Sequence, residues 1–491
     1  MIGASGSNRR LLFLALMVWL MACTGYLISS SRNAGLGFPL DDAWIHQTYA
    51  RNLSESLSWG FAPDNPSAGS TSPLWTGLIS IGYFLSIRPL FWTLLLGLIV
   101  QVLLAFVCAA WVEARTPDRP GWIWAFALIL LEWHLIWAAL SGMEILLYSL
   151  LVSGLFLALS KLSAKPIWAG ILIALGVWIR PDALLLLLPA GWVVLFRSRK
   201  RITSRLLGGV WMMIGFLILF IPYLMFNHAL DGSFWPSTFY AKQAEYAVMR
   251  DLPLVRRLVD QLAQPLTGMG LILLPGVVWN IYQDVRCRDW VRLSPILWAL
   301  AFLGAYALRL PVTYQHGRYA MPVIPVLIVL GTEGLINFRK PLSDGTWTKI
   351  LARTWSVSLL AVGLVFLALG ARAYGMDVAV IQTEMVQTSR WIAGHTEGDA
   401  LVAAHDIGAL GYFGDRSILD LAGLISPEVI PILRDEAALA RLLNERGADY
   451  LMTFPGWYLD LTSGLTPVYI SAGVYSPELG GENMVVYRWQ P

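Results

Sequence analysis

Long apolar runs alternate with short polar connections along most of the chain, and this pattern predicts a bundle of membrane-spanning helices. A helix needs about 20 apolar residues to cross the hydrocarbon core of a bilayer. A further apolar stretch, 73–87, is too short to cross comfortably and is predicted to be a helix at or partly in the membrane surface. We predict eleven spans, at 11–29, 89–111, 121–140, 144–160, 166–180, 183–196, 206–226, 268–285, 293–309, 320–336 and 353–372.

The last part of the chain loses this pattern and has the alternation of a small α/β domain. Strand-like runs occur at 400–404, 417–421, 450–453 and 484–489. Helical patterns lie near 378–394 and 427–446. The sequence therefore predicts two domains: a transmembrane module at 1–374, with an outer loop at 30–88, and an α/β domain at 375–491.

Basic residues in short loops predict the orientation, because such loops stay on the cytoplasmic side. The loop 196–205 is strongly basic, and Arg9 and Arg10 precede the first span. Both segments are therefore expected in the cytoplasm. An odd number of crossings then places the C-terminal domain outside, in a multi-pass protein of the cell membrane (inner or plasma membrane).

Composition agrees with a membrane protein and excludes some functions. Of the 491 residues, 57% are hydrophobic and 14% charged, whereas a soluble domain has about half apolar and a quarter charged residues. The net charge is +3 and no basic tract suggests a nucleic-acid partner. A phosphate-binding loop of the form GxxxxGK[ST] is absent from the sequence, which argues against direct use of nucleotide energy.

The unusual ionisable residues gather, on this topology, at the outer side of the membrane. Ionisable groups near a bilayer are costly and usually have a function. Each of them lies at the end of a span or in a loop just beyond one, so together they are predicted to line one outer cavity. They are Asp41, Asp42, Glu144, Arg180, Asp182, Lys242, His316 and Arg318.

Most of these residues also have a purely structural explanation. An aspartate before a helix often caps it, which would account for Asp41 or Asp42. Arg180 would pair with Asp182 across a proline turn, and Arg318 would extend to the membrane interface as an anchor. The functional interpretation is favoured because carboxylates and cations gather on the same side.

Such a set of side chains suits the transfer of a sugar from a phosphate. A phosphate leaving group needs cations to take up its charge, and a hydroxyl acceptor needs a carboxylate base. The transition state of glycosyl transfer is oxocarbenium-like, and aromatic faces can stack on sugars. All of these residue types are predicted on the outer side.

Several segments, in this order and spacing, resemble the GT-C membrane glycosyltransferases. They are most similar in pattern to the bacterial cell-wall terminal arabinofuranosyltransferases and, more distantly, to the aminoarabinose and protein O-mannosyl transferases. The resemblance covers most of the chain. The matching segments are Asp41–Leu53, Thr71–Trp75, Ser141–Glu144, Arg180–Asp182, Pro236–Lys242, Arg318–Pro322, His405–Tyr412 and Asp420–Gly423.

The resemblance implies a polyprenyl-phosphate sugar donor, an inverting transfer and a glycan, lipid or protein acceptor. An acidic residue of the first outer loop would be the base, and this role maps onto Asp41 or Asp42. Asp41 is favoured as the base, with Asp42 orienting it or supporting a metal or a nearby cation. The cations that bind the donor phosphate map onto Lys242, Arg318 and His316.

The resemblance also implies a divalent metal, Mg, Mn or Ca, for which Asp41 and Asp42 are the candidate ligands. The outer domain is expected to help hold the acceptor without contributing a base, and Asp406 is predicted to form a turn after a strand. Residues expected to support the site or bind substrate are Glu144, Arg180, Asp182, Trp44, His46 and Tyr240.

The alternative function is that of a translocase for lipid-linked sugars, or another transporter, without transferase activity. Such a protein would also combine many spans with buried charges. Transporters often show internal repeats or helices broken in corresponding positions of two halves. The sequence shows neither feature, so the enzyme is the favoured interpretation.

Overall fold

The computed structural model describes residues 6–62, 65–117, 121–161, 165–196, 202–338 and 346–490, and these are mostly helical. Residues 197–201 of the basic loop that predicts the orientation lie outside the described part. The α-helices, in chain order, are α1 Gly6–Asn33, α2 Asp42–Ser56, α3 Pro73–Phe84, α4 Pro89–Arg115, α5 Trp122–Leu131, α6 Trp133–Ala139, α7 Ile145–Ser160, α8 Pro166–Ile179, α9 Leu187–Phe196, α10 Ile202–Asp231, α11 Ser237–Glu245, α12 Leu254–Ala263, α13 Met269–Arg286, α14 Ser294–Arg309, α15 Tyr314–Gly317, α16 Ile324–Phe338, α17 Thr346–Val380, α18 Gln387–His395, α19 Gly408–Phe413, α20 Glu436–Arg446, α21 Leu459–Thr462 and α22 Tyr475–Glu478.

Short 3-10 turns connect several of these helices. They are Pro181–Leu186, Ala247–Asp251, Gln264–Leu266, Met321–Val323, Pro427–Ile432 and Pro455–Trp457. The strands are β1 Gly60–Ala62, β2 Asn65–Pro66, β3 Leu401–Ala404, β4 Ser417–Asp420, β5 Tyr450–Thr453, β6 Pro467–Ile470 and β7 Val485–Arg488.

The predicted spans lie on helices, except that the span 121–140 is broken at Glu132 into α5 and α6, which are bent by 61°. The chain is a multi-pass membrane protein. Within the described residues, five helices are long and apolar enough to cross a bilayer, or up to seven if each of two bent helix pairs is one span. The count of eleven crossings stays a prediction, because four predicted spans are shorter apolar helices. These are Ile145–Ser160, Pro166–Ile179, Pro181–Phe196 and Ser294–Arg309.

Glycines bring α13 and α16 into direct backbone contact. A Cβ atom added at Gly334 of α16 would lie 1.8 Å from the carbonyl oxygen of Gly276 on α13. Between apolar helices in a membrane, association depends on close packing, and small residues allow that packing. The α13–α16 contact therefore leaves no room for a side chain at either position.

A buried ionic network joins α4, α13 and α16 near the C-terminal end of α16. Glu333, which is fully buried, pairs with both Arg115 and Arg292. Asp284 lies 3.3 Å from Arg115 Nη2 and 3.2 Å from Arg292 Nε. Two arginines thus face two carboxylates, so this network is balanced in charge and its role is to join the helices.

The first outer loop folds into a layer between the helices and the C-terminal domain. Residues 43–50 of α2 are all buried, against α3 and α19. The predicted surface helix at 73–87 is α3, which begins at Pro73, a residue suited to the first helical position. Trp75 of α3 donates its indole N–H to the carbonyl oxygen of Gly142 at 2.8 Å, and this bond fixes the loop to the turn before α7.

The C-terminal domain contains a five-stranded sheet in the order β4-β3-β5-β7-β6. The strands β4, β3 and β5 are parallel, whereas β7 is antiparallel to both β5 and β6. The four predicted strands are confirmed, but β6 was missed because it is mostly exposed and so lacks the apolar pattern of a buried strand. The carboxyl ends of the three parallel strands share one edge, which is where ligands bind in open α/β sheets.

A continuous helical segment connects the two parts of the chain. The helix α17 continues through a π-helical turn, Ile381–Val386, into α18, so the predicted domain boundary at 375 falls inside a helix. Glu384 in this turn is fully buried and accepts the backbone N–H of Met484 at 2.9 Å. It also accepts the hydroxyl of Ser471, so the turn is bound to the sheet.

The α13–α16 contact predicts a large effect of one added methyl group. Gly334→Ala should force the two helices apart and lower the free energy of unfolding by about 1–3 kcal/mol, as overpacking does in other cores. Gly304→Ala on α14 is the matched control, because a Cβ atom there meets no atom within 4 Å. Thermal unfolding in detergent measures both. Equal melting temperatures for the two variants would contradict the close packing.

Candidate functional site

A cavity of about 640 Å³ opens between the start of α7, the 3-10 turn Pro181–Leu186, α11, the end of α14 and the segment before α16. Apolar side chains such as Leu184, Phe239 and Leu310 form much of its wall. The structure brings to this cavity six of the residues singled out in the sequence. They are Glu144, Arg180, Asp182, Tyr240, Lys242 and Arg318.

The ring of Tyr319 lies among three cations of this cavity. The charged groups of Arg318, Arg180 and Lys242 are 5.0, 5.5 and 6.0 Å from the ring centroid, within the range of cation–π attraction. The Tyr319 hydroxyl also accepts hydrogen bonds from Arg318 Nη2 at 3.2 Å and Lys242 Nζ at 3.4 Å. Sequence reasoning missed Tyr319, since a tyrosine near a membrane interface gives no distinctive signal.

Arg180 is held by neutralising partners. Its Nη1 lies 3.2 Å from Glu144 Oε1, and its Nε donates to Asp182 Oδ2 at 3.1 Å. Its Nη2 donates to the hydroxyl of Tyr306 at 2.6 Å, and that hydroxyl donates to Asp182. The predicted pairing of Arg180 with Asp182 is thus observed. With two carboxylates around it, Arg180 has no positive charge left over for a ligand.

Lys242 and Arg318 share a single carboxylate, that of Asp42. Arg318 Nη1 is 2.6 Å and Lys242 Nζ is 3.6 Å from Asp42 Oδ2. Burial alone would raise the pKa of Asp42, but the two cations outweigh it and hold the pKa well below its usual range. Two cations against one carboxylate leave this cluster with one positive charge, which faces the single negative charge left by Glu144 and Asp182 around Arg180. Arg318 Nε is buried there and has no hydrogen-bond partner.

Asp41, next to Asp42 at the start of α2, faces the outer domain instead. Its Oδ2 and Oδ1 accept the backbone N–H groups of Gly408 at 2.7 Å and Ala409 at 2.8 Å, in the first turn of α19. Burial and the charge of Asp406 raise the pKa of Asp41, and the two N–H groups only partly oppose them. The two neighbouring carboxylates therefore have different partners.

The carboxyl edge of the parallel strands lies over these residues. His405, which follows β3, has Nε2 3.6 Å from Glu245 Oε1 of α11 and Nδ1 2.7 Å from the Tyr458 hydroxyl. The adjacent Asp406 has a buried Oδ2 without a hydrogen-bond partner. The aspartate of this edge that accepts N–H groups of its own turn is Asp420, from Ala422 and Ile425. The structure thus shows for Asp420 the turn bonds that were predicted for Asp406. Neither Glu245 nor His405 was singled out as a site residue from the sequence.

His316 is not brought to the two cations that bind Asp42. Its Nε2 is 2.7 Å from Asp377 Oδ2 of α17, and its ring contacts Trp133 and Trp137. The backbone at His316 is left-handed, with φ of 59°, which turns the side chain away from that of Arg318. The predicted role of His316 at a phosphate has no support in this geometry.

Trp44 and His46 are buried within the outer loop. The Trp44 ring packs on Tyr412 and Phe413 of α19, with centroids 5.0 and 4.7 Å away. His46 Nδ1 lies 2.8 Å from Thr76 Oγ1, and its Nε2 is 3.6 Å from Glu144 Oε2. These contacts stabilise the loop and orient Glu144, so both residues lie behind the cavity wall.

The carboxylates as placed do not form a divalent-cation site. Such a cation needs several oxygen ligands in one place. In the part of the chain that the structure describes, no three His, Cys, Asp or Glu side chains converge in this way. The oxygens of Asp41 bind N–H groups, and those of Asp42 face Lys242 and Arg318. The two cations therefore occupy the place next to Asp42 that the sequence analysis assigned to a metal.

Solved structures of membrane glycosyltransferases share this architecture. ArnT from Cupriavidus metallidurans, solved with undecaprenyl phosphate, is 14% identical with a TM-score of 0.59, and 97% of each chain is covered. An Archaeoglobus fulgidus oligosaccharyltransferase, solved with a tethered acceptor peptide, is 12% identical with a TM-score of 0.60. That match covers 90% of this chain and 69% of the other. The same archaeal protein has also been solved with Zn and sulfate.

Sequence comparisons are less informative. Residues 376–487 match a family described only as a domain of unknown function, DUF8728. No curated protein matches the sequence significantly. The structural likeness, at these identities, concerns the fold, and it confirms the resemblance seen in the sequence: this chain has the fold of the GT-C membrane glycosyltransferases.

Proposed function

We propose that the chain is a glycosyltransferase that moves a sugar from a polyprenyl-phosphate donor to a glycan, lipid or protein acceptor of the cell envelope. The observation that carries this proposal is the convergence of Lys242 and Arg318 on Asp42 at the charged end of an apolar cavity. The two cations Lys242 and Arg318 suit a phosphate, and an apolar wall suits a prenyl chain. The ArnT structure with undecaprenyl phosphate and the archaeal enzyme with dolichol phosphate support a donor of this class.

In this proposal each group of the cavity has a distinct task. Lys242 and Arg318 bind the donor phosphate and stabilise the charge that develops as it leaves. Asp42 and the ring of Tyr319 hold these two cations in position. Tyr240, which is partly exposed at the cavity, contacts the donor.

The acceptor approaches from the side of the outer domain. Asp42 interacts both with the cations of the cavity and with the charge of Asp406, so it lies between the donor site and that domain. An acceptor hydroxyl arriving there attacks the sugar on the face opposite the leaving phosphate. Such an attack inverts the configuration at the anomeric carbon.

We further propose that the protein is a two-domain protein of the cell membrane (inner or plasma membrane). The membrane module is 1–374 and the extracytoplasmic domain 375–491, with the N-terminus in the cytoplasm. Polyprenyl lipids of the surrounding bilayer would enter the cavity laterally, since much of its wall is apolar.

The orientation predicts where a C-terminal reporter is active. A phosphatase that folds only in the outer compartment should be active when it is fused after Pro491. The same enzyme fused within the basic loop 196–205 should be inactive, because that loop is cytoplasmic. The opposite pattern would overturn the orientation and the grouping of the site residues on the outer face.

The activity is tested by the release of lipid phosphate. Purified protein incubated with a panel of polyprenyl-phosphate sugars and envelope acceptors should release polyprenyl phosphate from at least one donor, measured by mass spectrometry. A translocase would move the lipid between leaflets of a vesicle without cleaving it. Flipping without cleavage across the whole panel would therefore replace this proposal with the transport function.

The phosphate site predicts weaker lipid binding in two variants. Lys242→Gln and Arg318→Gln each remove a charge-assisted contact worth about 1.5–3 kcal/mol, so affinity for undecaprenyl phosphate should fall roughly tenfold to a hundredfold. Arg256→Gln is the control, because Arg256 is exposed and pairs only with Asp260 one turn away. Binding is measured by tryptophan fluorescence in detergent. Wild-type affinity in both cavity variants would refute the site.

A further inference from the structure

Helix α12 is docked on the rest of the protein by polar side chains. Arg257 Nη1 donates to the carbonyl oxygen of Ala307 at 3.0 Å, near the end of α14, where a helix leaves its last carbonyls without partners of their own. Gln261, which is 1% exposed, donates its Nε2 to the carbonyl oxygen of Val312 at 3.0 Å. Two hydrogen bonds thus fix α12 to α14 and to the segment that follows it.

The outward surface of α12 is divided into two flanks. Val255, Val259 and Leu262 are 73%, 57% and 39% exposed, and their spacing of four and three residues places them on one side of the helix. Arg256 and Asp260, which pair at 3.8 Å, are exposed on the other side. An apolar flank next to a charged flank is typical of a helix that lies at the boundary between lipid and water.

The direction of α12 fits an interfacial position. The helical segment that begins with α12, Leu254–Leu266, is bent by 102° from α13. Because α13 is the predicted span 268–285, a bend near a right angle directs α12 along the membrane surface. Leu308 of α14, next to the docking carbonyl of Ala307, is 54% exposed, so the apolar surface of a membrane helix continues that of α12.

We propose that α12 lies in the outer leaflet of the bilayer, with its apolar flank among the acyl chains and its charged flank among the headgroups. The partner of this surface is lipid, because acyl chains remove the apolar area of Val255, Val259 and Leu262 from water. Arg256 on the other flank suits the phosphate groups of the lipid. In this position α12 adds nothing to the crossing made by α13.

The docking extends this lipid contact to the wall of the donor cavity. Tyr306, Arg309 and Leu310, which lie next to the two docking carbonyls in the sequence, line that cavity. Insertion of α12 therefore holds this part of the wall at a fixed depth in the leaflet from which a prenyl lipid enters. This consequence rests on the proposed donor site, whereas the insertion of α12 does not.

The insertion is tested with a fluorophore attached to neighbouring positions on the two flanks. In a Cys287→Ser background, whose two remaining cysteines are buried, Val255→Cys or Val259→Cys carries the label on the apolar flank. Arg256→Cys or Asp260→Cys, one residue further along, carries it on the charged flank as the matched control. In vesicles that contain lipids with a quencher on the acyl chain, labels on the apolar flank should lose most of their fluorescence, and the control labels should keep most of theirs.

Two results would overturn the insertion. Equal quenching on both flanks would show that α12 has no defined orientation in the leaflet. Labels on the apolar flank that are protected both from the acyl-chain quencher and from iodide in the water would show that a protein, such as a second copy of this chain, covers the flank instead of lipid.

The consequence for the cavity is measured separately. Val255→Ser combined with Val259→Ser should lower the affinity for undecaprenyl phosphate in vesicles and leave it near wild type in detergent, because a micelle adapts its shape to the helix. Arg256→Ser is the control and should bind like wild type in both. Wild-type affinity of the double variant in vesicles would overturn the link to the cavity. A wild type that does not bind undecaprenyl phosphate would refute the donor site, and the quenching pattern would still decide the position of α12.

Discussion

The pairing of Asp42 with Lys242 and Arg318 is the interaction on which the rest of the site depends. It joins three distant parts of the chain, the first outer loop, α11 and the segment before α16. Charges buried next to a bilayer require partners, and one carboxylate can hold two cations near each other despite their repulsion. The resulting cluster of Asp42, Lys242 and Arg318 carries one net positive charge, which a negatively charged phosphate can neutralise. A site preorganised in this way needs little rearrangement when the donor binds.

The adjacent residue extends this arrangement to the outer domain. Because Asp41 and Asp42 are consecutive, the backbone that holds the cations also holds the turn at Gly408 and Ala409. Displacement of the domain would therefore move Asp42, and loss of the cations would loosen the domain. The cation cluster and the outer domain are thus joined through one peptide unit, which would be a direct physical route between the proposed donor and acceptor sites.

The sequence predicted much of the fold and only part of the site. Apolar runs identified the helices, because hydrophobic length is a local property, and four of the five strands of the C-terminal sheet followed from local alternation. The site residues that it missed, Tyr319 and Glu245, act through partners distant in the sequence, and pairing of that kind leaves no local pattern. The predicted role of His316 at the donor phosphate has no support here, because spacing cannot show the left-handed backbone at His316 or its contact with Asp377. The roles of Asp41 and Asp42 stay predictions.

The continuous helix from Lys349 to His395 has a mechanical consequence. Its 47 residues form a rod about 70 Å long at 1.5 Å per residue, and its far end is bound to the sheet through Glu384. A tilt of one degree moves that end by about 1 Å. Membrane helices tilt to match the thickness of the surrounding bilayer. A change in bilayer thickness that tilts this helix would therefore act directly on the sheet, so lipid composition is expected to influence the proposed transfer.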